Sequence, residues 1–287
     1  MQENQKLTIW ESLLSLDRRI LYLILMLLVG WQVISPLDVG NVVSVRTKDL
    51  FDYLNSLKEG DVVVIESDWT YSTKGESLPQ FQALMRLLMR KKIKFIITSI
   101  DPQAPRIASY EIEQLAVEPG SNNYMPGKDY FVAGYFPDAY NHVKGMVNNI
   151  RKELSTRGAL PFLIENNISD LSQIKIVLVV TGSSSIDVWY ERIRNKTKLG
   201  LFCTAVMSAE NILFYASGQL VGIVIGAKGA FDFESLLAET FKEPEYTNFQ
   251  SGRRYMGPLA FALMLLVLAV IIGNLALFFS RRRGARS

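Results

Sequence analysis

A Rossmann-like, doubly wound α/β domain with a mostly parallel sheet, flanked by an N-terminal and a C-terminal transmembrane helix, is the fold class this sequence predicts. Three observations carry it. Apolar runs of strand length alternate with amphipathic stretches of helical period. The strand candidates are continuously apolar, as in a sheet covered on both faces. Long apolar runs stand near both ends of the chain.

Taken in order, Asp61–Ser67 (DVVVIES) reads as a buried strand, bounded by Gly60. Leu78–Arg90 places Phe81, Leu84, Met85, Leu88 and Met89 at helical spacing. Lys94–Ser99 is a second strand and Ala104–Val117 a helix. Tyr130–Ala133 is a short strand, followed by a helix over Tyr140–Leu154 with Val143, Met146, Val147 and Ile150 inward. Ile174–Val180 is the strongest strand of all. Ile186–Arg194 is a helix, Gly200–Thr204 a strand, Glu210–Ser217 a helix, Val221–Ile225 a strand and Phe231–Phe241 a final helix. Between 155 and 172 the pattern breaks, which predicts a surface excursion or a division into two smaller lobes.

The ends predict the membrane. Leu259–Phe279 carries no charge, is long enough to cross a bilayer, and is followed by Arg281, Arg282, Arg283 and Arg286. Ile20–Leu37 is a weaker apolar run, read as an uncleaved signal anchor because Val33-Ile34-Ser35-Pro36 is too bulky for a cleavage site. Thr8 and Glu11 have capping-box spacing ahead of it, with Ile9, Trp10 and Leu13 on an apolar side. The resulting division is 1–17 cytoplasmic or interfacial, 18–37 a span, 42–256 the α/β domain, 257–280 a span and 281–287 a basic tail. Arg18, Arg19 and the terminal arginines put both termini in the cytoplasm and the domain outside, with Arg253 and Arg254 counting against it. The sequons at Asn167 and Asn195 are compatible with that export. In the second span Ala262, Ala269, Gly273 and Ala276 share a face suited to close helix packing, and Asn274 is an amide at membrane depth.

Charge and cysteine content exclude some functions. The net charge of +3 comes from the tail, since Val39–Met256 holds 24 Lys and Arg against 24 Asp and Glu. A neutral domain lacks the basic footprint of a nucleic-acid binder. One cysteine, Cys203, and one histidine, His142, rule out an internal disulfide and a Cys/His metal centre; no metal and no cofactor is expected.

In a parallel sheet the ligand side is the carboxyl end of the strands. The stretch Thr181-Gly182-Ser183-Ser184-Ser185 follows the strongest strand and offers free N–H groups and hydroxyls to a small anionic ligand; its plainer role is a serine cap on the next helix. Gly226 and Lys228 follow the last strand, and Lys228 is a partner for a serine of that turn if the strands are neighbours. Asp68 and Asp101 are a candidate carboxylate pair, each with a local explanation as a loop or turn residue. With Ser183 they are the weak catalytic candidates. A Cys203–His142 dyad is the remaining one, against which stands the apolar strand around Cys203. Trp69, Tyr71, Tyr135, Phe136, Tyr140, Trp189 and Tyr190 gather near strand ends, as a cleft lining or as core edges.

The expected function is a non-enzymatic structural or binding subunit of a membrane protein assembly, as a homo-oligomer or with a membrane-protein partner and without nucleic acid. The alternatives are a membrane-tethered hydrolase acting through Asp68, Asp101 and the 181–185 turn, and a ligand sensor.

Overall fold

The computed structural model describes residues 12, 14, 15, 17–35, 40–193, 195–242 and 251–284. Thr8, Glu11, Ile9, Trp10 and Leu13 of the expected N-terminal segment lie outside them. The chain divides into two compact units, Asn41–Arg253 and a second formed by residues 1–40 and 254–287.

In the larger unit six strands form one all-parallel sheet in the order β3-β2-β1-β4-β5-β6. They are β1 Val62–Asp68, β2 Lys94–Ser99, β3 Tyr130–Tyr135, β4 Ile176–Thr181, β5 Lys198–Cys203 and β6 Ile223–Ile225. This is the doubly wound order, with the direction of winding reversing between β1 and β4. Every residue of both central strands is buried. That is why their sequences read as unbroken apolar runs.

Helices cover both faces. On one lie α2 Val45–Ser56, α3 Lys74–Arg90, α4 Ala104–Ala116 and α9 Gly226–Phe241, packed on Val63, Ile65, Phe95, Leu178, Val180 and Phe202. On the other lie α5 Ala139–Ser155, α6 Leu160–Glu165 and α7 Ile186–Arg192, packed on Val62, Val64, Ile96, Val177, Val179 and Leu201. A further helix, α8 Ser208–Ala216, joins β5 to β6 and buries only Asn211. The segment 155–172 is not a surface excursion: α6 and its flanks bury Phe162, Leu163, Ile168 and Leu171 in the second face. The helix Val45–Ser56 has no counterpart in the sequence reading. It buries Thr47, Leu50, Phe51 and Leu54 along one side.

Packing of α2 depends on Gly222. A side chain there would lie 2.5 Å from the Arg46 carbonyl and 2.6 Å from the Leu50 nitrogen. The helix backbone therefore rests directly on the start of β6. The first half of α9 then holds the chain where it enters and leaves the unit. Asp232 accepts from the Ser44 N–H at 3.0 Å, and Ser235 from the Asn41 amide at 3.0 Å. The Lys228 ammonium joins Asn41, the Val42 carbonyl and Asp232, and Glu234 accepts from the Gly252 N–H at 3.0 Å.

In the smaller unit, α1 Arg18–Ile34 has 17 residues, is N-capped by the Asp17 carboxylate, and continues through Gly30, Trp31 and Gln32. The last helix, α10 Ser251–Gly284, contains Arg254–Ser280, which among the described residues is the one helix long and apolar enough to cross a membrane. The two expected spans therefore reduce to one clear candidate, because α1 is about 25 Å long at 1.5 Å per residue. Along α10, Ala276 is buried and Ala262, Ala269 and Gly273 are half-buried, while Leu266, Val267 and Val270 are exposed. The Asn274 amide donates to the Val270 carbonyl one turn back at 2.9 Å.

Gly222→Ala tests the helix-on-sheet contact. Both clashing atoms are backbone, so the variant is expected to lose about 1–3 kcal/mol, read as a lower urea midpoint for the full chain in detergent.

Candidate functional site

Strand alternation puts Glu66 and Asp68 on the face of β1 that carries Val62 and Val64. The parallel ladders set Glu66 beside Thr98 of β2 and Asp68 beside Thr181 of β4. The carboxyl end of this face is thus polar where the rest is apolar. It lies at the reversal of winding, the place where an open α/β sheet leaves a crevice.

Glu66 is 1% exposed. Its Oε2 accepts from the Thr98 hydroxyl and lies 3.5 Å from His142 Nε2, an ion-pair distance longer than a hydrogen bond. The other ring nitrogen, Nδ1, is 3.2 Å from Glu153 Oε1. The imidazole stacks on Phe136 with ring centres 3.7 Å apart. Glu153 reaches it because α5 is broken: Asn149 sits at φ −160°, ψ 86°, and its side chain accepts from the Lys152 N–H to restart the helix. Gly145 completes the arrangement, since a side chain there would sit 2.1 Å from Glu153 Oε2. Burial opposes a charge on His142, but the two carboxylates outweigh it and raise its pKa above the ordinary 6.5.

Asp68 is the second acid. Its Oδ1 accepts from the Ile100 N–H at 2.8 Å and the Ser99 hydroxyl at 3.1 Å. Burial and then the neighbouring Glu66 charge push its pKa up to about 7, against weaker help from Ile100, Ser185 and Ser99. Four consecutive residues here each keep a buried polar atom without a protein partner among the described residues: Glu66 Oε1, Ser67 Oγ, Asp68 Oδ2 and Trp69 Nε1. Buried polar atoms are ordinarily satisfied, so such a concentration marks a place with a specific use.

The 181–185 turn stands next to it. Thr181 Oγ1 is the hub: it accepts from the Ser183 N–H at 2.9 Å and the Ser185 hydroxyl at 3.0 Å, and is 3.0 Å from Ser183 Oγ. Ser185 occupies the cap position of α7, yet its hydroxyl turns back to Thr181 instead of capping. Ser183 and Ser184 are exposed. Gly182 lies against the loop after β1, where a side chain would meet the Thr73 methyl at 2.5 Å.

The other candidates are used elsewhere. Asp101 Oδ1 accepts from the Gln103 and Ala104 N–H groups and starts α4, so Asp68 pairs with Glu66 rather than with Asp101. Lys228 and Gly226 follow β6, which β5 separates from β4, roughly 10 Å of sheet. Lys228 is therefore no neighbour of the serines. Gly226, at φ 59°, turns sharply into α9, and its carbonyl accepts from Gln80, which also bridges to the Cys203 carbonyl. The Cys203–His142 dyad does not form: the ring nitrogens face the two glutamates, and burial pushes the thiol up to about 12. Of the aromatic set, Trp69 and Trp189 are core and Tyr71 is exposed. Among the described residues no group of three His, Cys, Asp or Glu is placed to hold a metal ion.

Glu66 and the two-carboxylate seat of His142 escaped the sequence reading. The signal was an acid two residues before Asp68 in an otherwise apolar strand, which places both on one face. A cleft of about 840 Å³ lies at the amino-terminal edge of the sheet, lined among others by Lys175, Lys196, Lys198 and Gln219. Two of its lysines are paired, Lys175 with Asp61 and Lys196 with Asp170. The chain matches no protein family, no curated protein and no solved structure.

The acid cluster makes stability fall with rising pH. Asp68 holds a proton in the folded chain that the unfolded chain releases near 3.8, so stability declines from about pH 4 to about pH 7. His142, raised above 6.5, acts in the same sense: its contribution is complete below 6.5 and lost as pH rises through the folded value. Asp68→Asn is expected to flatten the fall over the acid part of the window and to raise the thermal midpoint near pH 8. A fall as steep as the wild type's would remove Asp68 as its source.

Proposed function

We propose that the chain is a membrane-anchored α/β module that acts by binding, as a non-enzymatic subunit of a membrane protein assembly with the α/β unit on the extracytoplasmic side. The observation that carries this reading is the conjunction of a helix apolar and long enough to span a bilayer with catalytic candidates other than Asp68 engaged in structural roles. Asp101 starts a helix, Lys228 clamps the incoming chain, Cys203 is a buried thiol and the hydroxyls of Ser183 and Ser185 serve Thr181. Arg18 and Arg19 at the start of α1 and the arginines that follow the apolar stretch of α10 favour both termini on the cytoplasmic side. In that reading α1 is the second anchor, within the lower limit of span length. The half-buried row Ala262, Ala269 and Gly273 is suited to a neighbouring helix.

Native mass spectrometry of the full chain extracted gently from its own membrane tests the proposal. The expected result is a defined oligomer or a stoichiometric membrane-protein partner, weakened by Gly273→Leu. A monomer at all concentrations, with no partner, would overturn the assembly.

A further inference from the structure

The end of β1 combines three properties that no structural role explains together. It lies at the winding reversal of the sheet; it carries two buried acids on one face; and among the described residues Asp68 Oδ2 and Glu66 Oε1 find no protein partner. We propose that the crevice between β1 and β4 is a binding site for a small organic cation, a primary ammonium group seated between Asp68 and Glu66. The inference deepens the binding half of the reading above and is independent of the assembly half.

Charge selects the ligand class. Dinucleotide folds place a glycine-rich turn after β1 to receive a pyrophosphate. Here the strand ends in Glu66-Ser67-Asp68 and runs on into Trp69-Thr70-Tyr71-Ser72-Thr73. An anion there would meet Glu66 and an Asp68 that ionises near neutrality, so the anionic ligand expected from the 181–185 turn alone is disfavoured. An ammonium group supplies three donors and one positive charge. The carboxylate oxygens Asp68 Oδ2 and Glu66 Oε1 are acceptors for it.

The surrounding charges leave room for one cation. His142 from α5 offsets Glu66, and Glu153, from the restarted half of α5, lies on the far side of the ring. Asp101, from the loop after β2, is bound to the start of α4. Among the described residues no cation stands opposite Asp68; burial and the Glu66 charge raise its pKa to about 7, so in the free protein a proton fills that part. The ammonium group replaces that proton: Asp68 ionises, one proton leaves to solvent, and affinity rises with pH through neutrality. Thr73, in the short loop after β1, packs against Gly182 of the turn after β4. Access then requires the short loop Tyr71–Thr73, whose Tyr71 is 58% exposed, to lift.

Isothermal titration of the full chain in detergent with ethanolamine, methylammonium and putrescine chlorides tests the site, with sodium chloride and sodium phosphate as controls. The expected result is saturable binding of at least one amine and of neither control. Its heat should change with the ionisation enthalpy of the buffer, as one released proton requires. Asp68→Asn should weaken binding at least tenfold without lowering the thermal midpoint. Should that variant fail to fold, Ser185→Ala is expected to weaken binding severalfold, and quenching or shift of Trp69 emission, absent in Trp69→Phe, locates the ligand. Absence of saturable amine binding by the folded wild type, unchanged binding by Asp68→Asn, or phosphate binding in its place would overturn the proposal. Subunit composition is measured without added amine, so failure here leaves the assembly reading standing, and the reverse.

Discussion

Two adjacent parallel strands, Val62–Asp68 and Ile176–Thr181, are buried along their whole length, and the rest of the α/β unit follows from that constraint. A parallel pair has no hairpin to close it, so each strand needs a crossover. Burial on both sides demands helices on both faces. The sheet answers by winding outward from this pair in two directions, with α2, α3, α4 and α9 on one face and α5, α6 and α7 on the other. Where the ladder ends, the backbone no longer accounts for every polar group, and side chains must. Gln80 does this across the ends of β5 and β6, and Tyr124 accomplishes it beside β2 by donating to the Leu88 and Ile93 carbonyls. At the end of β1 the corresponding side chains are acids with oxygens to spare.

Much of this order is visible in the residues. Lys94–Ser99 begins and ends where its apolar run predicts, and β4 is the strand with the longest run of aliphatic residues. Elements defined by one buried stripe were harder to see. Val45–Ser56 has charged and polar residues at most positions, and its burial depends on the missing side chain of Gly222, far away in sequence. The segment 155–172 reads as polar punctuation because its buried residues, Ala159, Phe162, Leu163, Ile168 and Leu171, are spread among polar ones.

The site divides in the same way. Asp68, Thr181 and Ser183 could be found from the sequence because each follows a recognisable strand. That Asp68 stands opposite Thr181 could not, since strand order is a property of the whole fold. The pairing of His142 with Glu153 was hidden by the break at Asn149: on a continuous helix, residues eleven apart sit about 16 Å along the axis. A helical pattern predicts the apolar face of α5 correctly and says nothing of the interruption that brings its two ends together.

The clamp on α9 has a mechanical meaning. Asn41, Val42 and Ser44 are held by Lys228, Asp232 and Ser235, and Gly252 is held by Glu234, so both ends of the α/β unit are fastened to the same two turns of one helix. Tension applied to either end of the chain is taken up first by those few side-chain bonds and by α9. The five parallel ladders lie outside that load path. The sheet, and the acids at the end of β1 that depend on its register, are thereby insulated from pulling on the termini.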